Sequence, residues 1–166
     1  MMRGAIFLRM ILLIVAGLAT GCYESEFPLD QAPQVQTDSR LVGAWRCVTP
    51  DANDEASTLT VDGSQGRTYA VTLQESGKPP DRYEGYTSSL KAITLMNLRD
   101  VAATPTRWVF IHYAFLQANV LLIQVVHERL LKGVAKSPAA VRKTIERERL
   151  NPALYEGSIV CVRMHG

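Results

Sequence analysis

The 166-residue chain lacks the residue patterns on which most enzyme chemistry rests. It has three histidines, His112, His127 and His165, and none stands at a metal-binding spacing: His127-Glu128-Arg129 lacks the second histidine of a zinc helix. No glycine-rich phosphate loop and no Gly-x-Ser-x-Gly elbow occurs. Asp81 and Glu84 are close in sequence, but nothing marks a paired-carboxylate site, and they read as solvated charges. No catalytic residue, metal or cofactor is therefore expected, and an enzyme is the least favoured reading. Excess charge is missing too. Of 18 basic and 16 acidic side chains, two arginines and no acid fall in residues 1–21, so the remainder is formally neutral. That leaves no electrostatic footprint for nucleic acid. The uninterrupted apolar run, residues 10–20, is too short for a hydrocarbon core of about 30 Å, which takes roughly 20 residues to cross.

What the N-terminus does carry is ordered. Arg3 and Arg9 are its only charges, the apolar run follows, and Leu18-Ala19-Thr20-Gly21-Cys22 closes it. A plain secretory leader with an incidental cysteine, or an uncleaved anchor helix, would account for the charge and the run alone. Small residues directly before a cysteine make the segment resemble a bacterial lipoprotein signal. The resemblance implies that the Cys22 thiol takes a diacylglyceryl group and that residues 1–21 are removed as a signal peptide. Each buried CH₂ contributes about 0.8 kcal/mol, so several acyl chains hold a protein on a membrane durably. With Tyr23 in place of an aspartate after the cysteine, the resemblance further implies an outer-membrane location with the domain facing the periplasm. Residues 22–39 are polar and contain Pro28 and Pro33. They read as a tether, or as an arm lying on the domain and anchored by Phe27 and Leu29.

Residues 40–166 hold enough chain for one domain with its own core. Short stretches of alternating or apolar character recur at 41–49, 57–61, 68–75, 82–88, 92–98, 107–116, 119–126 and 158–164. Turn residues separate them: Pro50, Asp62-Gly63, Gly77-Lys78-Pro79-Pro80 and Pro105, with Gln117-Ala118 as the turn of a hairpin. Gly85, between Tyr83 and Tyr86, is a candidate bulge. The strands at 107–116 and 119–126 are apolar or aromatic on both faces, so their outer face needs a cover. Ser137-Pro138 is an N-cap and first-turn pair for a helix that supplies it, with Val141 and Ile145 one turn apart and Arg142 and Glu146 spaced as an i,i+4 pair. A shorter helix is expected over 127–134. The fold class is mainly β: an antiparallel meander of about eight strands forming a barrel or strongly curved sheet, with one or two helices before the last strand.

Gly43-Ala44-Trp45 stands on the first strand and Arg163 near the end of the last. This arrangement resembles the lipocalins and related calycins, in which an arginine from the closing end of the barrel covers a Gly-x-Trp tryptophan. The layout also resembles small uncharacterised bacterial outer-membrane lipoproteins. Read without the resemblance, Trp45 is a core residue and Arg163 a surface one. If first and last strands pair antiparallel, one register sets Trp45 opposite Arg163 and Cys47 opposite Cys161, all four on one face. Opposed Cα atoms about 4.5–5.5 Å apart suit a disulfide. The alternative is two buried thiols. The expected function is that of a lipid-anchored, non-enzymatic binding or interaction module of the cell envelope, its partner an envelope protein. The alternative is a lipocalin-like carrier of a small apolar ligand, with Tyr69, Tyr83, Trp108 and Phe110 as pocket aromatics.

Overall fold

A computed structural model describes residues 25–49, 56–63, 66–133 and 136–165. Cys22 and the leader lie outside the described residues. Period-2 alternation turns one face of every strand inward, and the strands close on themselves. They are β1 (Gly43–Val48), β2 (Ser57–Asp62), β3 (Tyr69–Gln74), β4 (Asp81–Leu90), β5 (Ile93–Asp100), β6 (Trp108–Gln117), β7 (Val120–Val126) and β8 (Tyr155–Arg163). Each pairs antiparallel with the next, and β8 returns to β1 to close an eight-stranded barrel. The closing register sets Trp45 against Arg163 and Cys47 against Cys161, and the two cysteines form a disulfide. A mainly β, closed antiparallel barrel is consistent with the lipocalin-like expectation, and its helix precedes the last strand as the sequence predicts.

Several local expectations are corrected. Gly85 is not a bulge: it sits in regular register between Tyr69 and Leu98. A Cβ there would lie 2.4 Å from Leu98 Cδ2 and 2.6 Å from the Asn97 carbonyl oxygen, so the glycine serves a close approach of β5. The register shifts instead fall between Phe115 and Gln117 and between Ile123 and Val125. Gln117 pairs with Val120, which moves the hairpin turn to Ala118-Asn119. The shorter helix is only a 3-10 turn, Glu128–Leu130. A second 3-10 turn, Pro152–Leu154, capped by Asn151, leads into β8, which starts at Tyr155 rather than 158.

Two apolar clusters result. One fills the barrel, with Trp45, Val61, Tyr69, Val71, Met96, Leu98 and Leu121 among its buried members. The other lies outside β4–β7, where Leu90, Leu95, Phe110 and Val126 meet a cover. That cover is α1 (Pro138–Glu148), which buries Val141 and Ile145, together with Leu131 and Leu154. Its N-cap is Ser137, whose Oγ accepts from the Ala140 N–H at 3.2 Å. No helix among the described residues is long and apolar enough to cross a membrane.

Part of the cover comes from the N-terminal segment. Ser25 and Trp108 exchange backbone hydrogen bonds of 2.7 and 2.8 Å. Leu29, 2% exposed, joins the outer cluster, and its N–H donates to Asn97 Oδ1 at 2.8 Å. Asn97 is itself buried, and its Nδ2 donates to the Tyr86 carbonyl and to Ser88 Oγ. Asp30 then meets Arg142 of α1 at 2.8 Å, and the Tyr86 hydroxyl donates to the Asp30 carbonyl. Over this length the segment lies on the barrel.

Candidate functional site

The two ends of the barrel differ. At one end, β1 begins at Gly43 with φ +129°, a conformation that L side chains rarely adopt. A Cβ there would also approach Arg163 Nη1 to 2.8 Å, so the first residue of Gly-x-Trp makes room for the arginine. The Arg163 guanidinium lies 4.1 Å from the centroid of the Trp45 ring and donates to the carbonyls of Val42 (2.8 Å) and Arg40. Trp45 is fully buried, and its Nε1 donates to the Leu41 carbonyl at 2.9 Å. The Phe115 ring packs 6.2 Å from that of Trp45, and the Arg40 guanidinium lies 4.5 Å over Phe115.

Asp38 grips Arg40 through Nε at 3.0 Å and Nη2 at 2.7 Å. That side-chain hydrogen bonding holds the Asp38 carboxyl below its ordinary value of 3.8. The Asp38 N–H donates to the Tyr69 hydroxyl, and burial raises the pKa of both Tyr69 and Tyr113. Arg163, Trp45, Phe115 and Arg40 thus seal this end as a ladder of two aromatic rings between two guanidinium groups. Only the Trp45 and Arg163 rungs carry a motif in the sequence. Asp38 and Arg40 carry none, because Tyr69 and Phe115, which they meet, are brought to them only on folding.

Among the described residues, the other end is open. A cavity of about 250 Å³ is walled by Leu59, Val71, Tyr83, Leu98, Val109 and Ile123, with Thr49, Ser57 and Glu75 also among its lining. A deeper pocket of about 60 Å³ shares Leu59, Val71, Leu98 and Ile123 with it and reaches Leu41 and Leu121. Two depressions of about 500 and 530 Å³ border the N-terminal segment at Gln36 and Pro33, but both are more open and less apolar. Among these spaces the barrel cavity combines enclosure and apolar walls with room for a guest.

Of the four aromatics expected in a pocket, only Tyr83 lines this cavity. Tyr69 belongs to the closed half, while Trp108 and Phe110 face outward into the second cluster. The cavity's aliphatic walls stand at inward positions in register with Trp45: Leu59 pairs with Trp45 and with Leu73, and Val71 pairs with Tyr83. That alternation was visible in the sequence, but which end stays hollow was not.

The titratable groups are scattered. His112 is in β6, its ring 5.2 Å from that of Tyr155. His127 lies 3.4 Å from Glu156, and His165 is exposed. Glu84 forms an exposed ion pair with Arg99 at 2.6 Å, and Asp81 is exposed. Among the described residues, no three His, Cys, Asp or Glu side chains form a group that could hold a metal ion. What the cavity can do chemically is exclude water from an apolar guest. Comparison of the chain with protein-family models, with curated proteins and with solved structures found no match.

Proposed function

We propose that this protein is a lipid-anchored, non-enzymatic binding module of the cell envelope that holds a small apolar ligand in the open end of its barrel. The observation that carries the reading is the 250 Å³ apolar cavity opposite the end sealed by Trp45 and Arg163. An apolar cavity of about 150 Å³ already suffices for a benzene-sized ring. The space therefore suits a compact guest, with the closed end acting as its floor. Cys22 supplies the membrane attachment, and the outer membrane, on its periplasmic side, is the location that Tyr23 favours.

Native mass spectrometry of the mature domain, purified without detergent, tests the ligand. The expected spectrum contains a complex with a small apolar molecule that is lost in Val109→Trp, which fills the cavity. Apo protein alone, with no added naphthalene bound, refutes the carrier. Cys22→Ser tests the anchor separately: it should abolish incorporation of a fatty-acid analogue and leave a heavier, leader-bearing product. Label retained by the serine variant refutes attachment at Cys22.

A further inference from the structure

The path of the N-terminal segment fixes which end of the barrel can meet the membrane. Ser25 is held against Trp108, the first residue of β6, through both its N–H and its carbonyl. Arg107 and Glu26 form an ion pair at 3.1 Å beside this bridge. The next residue of β6, Val109, lines the open cavity, so the bridge sits at the mouth end. The opposite end of the same strand is Gln117, nine residues on, or about 30 Å at 3.3 Å per residue. Only three residue steps join Cys22 to Ser25, about 11 Å at full extension.

From this geometry we infer that the cavity mouth opens onto the lipid surface that carries the anchor, with the Trp45–Arg163 end pointing away. The inference rests on lipidation of Cys22, proposed above. The occupant facing the mouth is a bilayer surface because at most about 11 Å of chain separates Cys22 from Ser25 at that rim, whichever way it runs. An 11 Å leash from Ser25 cannot reach past the closed end, and the Ser25–Trp108, Leu29–Asn97 and Asp30–Arg142 contacts prevent it from lengthening.

Val101 and Leu116 provide matched reporters. They are 57% and 58% exposed, Val101 following β5 at the mouth and Leu116 near the end of β6 at the closed end. The lipidated mature protein is reconstituted into phosphatidylethanolamine–phosphatidylglycerol vesicles with Val101→Cys or Leu116→Cys carrying a fluorophore. A quencher is attached to the lipid headgroups. Strong quenching at 101 and little at 116 is the expected result. A Gly-Ser spacer of about twelve residues inserted before Ser25, with a span on the order of 20 Å, should abolish the contrast. Protein that washes off the vesicles refutes the anchor, and the orientation falls with it. Anchored protein quenched equally at both sites, or more at 116, refutes the orientation alone. A contrast that survives the spacer refutes the short leash as its cause.

Discussion

Removing the Cys47–Cys161 bridge is the sharpest perturbation of the barrel seam. The two cysteines are buried and stand opposite one another on β1 and β8, 114 residues apart in sequence. In the chain-entropy treatment, closing a loop of that length restricts the unfolded chain by about 4.8 kcal/mol at 25 °C. Replacing both residues with alanine also withdraws two sulfur atoms from a filled seam, which adds about 1 kcal/mol if the neighbours do not close in. Reduced wild-type protein keeps the sulfurs, so it separates these contributions. Urea unfolding of oxidised wild type, reduced wild type and the double variant is the assay. With a slope near 2 kcal/mol per molar, the midpoint should fall by about 2 M on reduction and slightly more in the variant. The folded state should remain a barrel, because the Trp45–Arg163 stack and the β1–β8 ladder still join the seam. Identical midpoints for oxidised and reduced protein would refute the reasoning, as would both thiols reacting with alkylating reagent in the oxidised native protein.

Three further outcomes are expected. Ser137→Ala should cost about 0.5–2 kcal/mol in thermal unfolding, because it removes the cap of α1. Asn97→Ala should cost about 2–4 kcal/mol, since the buried Leu29 N–H loses its acceptor, and it should expose residues 25–30 to limited proteolysis while the barrel resists. Tyr69, Tyr86, Tyr113 and Tyr155 all have raised pKa values because burial disfavours their phenolates, Tyr86 to about 12. The stability they contribute is complete below the ordinary value of 10.0 and is lost as pH rises through the folded values. Urea midpoints should therefore fall in alkaline buffer in step with phenolate absorbance, and a midpoint unchanged there contradicts this.

Much of the barrel was legible because its information is local and periodic. Alternation at Thr58-Leu59-Thr60-Val61 and Tyr69–Val71–Leu73 marks strands, and Ser137-Pro138 marks the start of a helix. The seam was legible for a different reason: Trp45 and Cys47 are spaced as Cys161 and Arg163 are, so one antiparallel register satisfies both pairs. What stayed hidden depends on tertiary placement. Trp108 and Phe110 look like pocket aromatics until the β5–β6 register turns Val109 and Ile111 inward and leaves them on the outer face. Asn97 is one of several polar residues in β5, and only the folded arm reveals that it receives the Leu29 N–H. The floor needs Arg40 to reach Phe115 across 75 positions, a contact that no spacing rule encodes.

The ordering of the strands also bears on how the barrel comes into being. Seven of its eight pairings join strands consecutive in the chain, and only β1 with β8 links the beginning of the sheet to its end. During synthesis or refolding the meander can grow hairpin by hairpin, with little loop-closure entropy opposing each step. Until residues 155–163 arrive, β1 and the most recently added strand are bare edges able to pair with another chain. The vulnerable interval is therefore that of an open sheet awaiting its final strand, and its length governs the balance between closure and aggregation. A chain ending before Tyr155 would stay in that interval permanently.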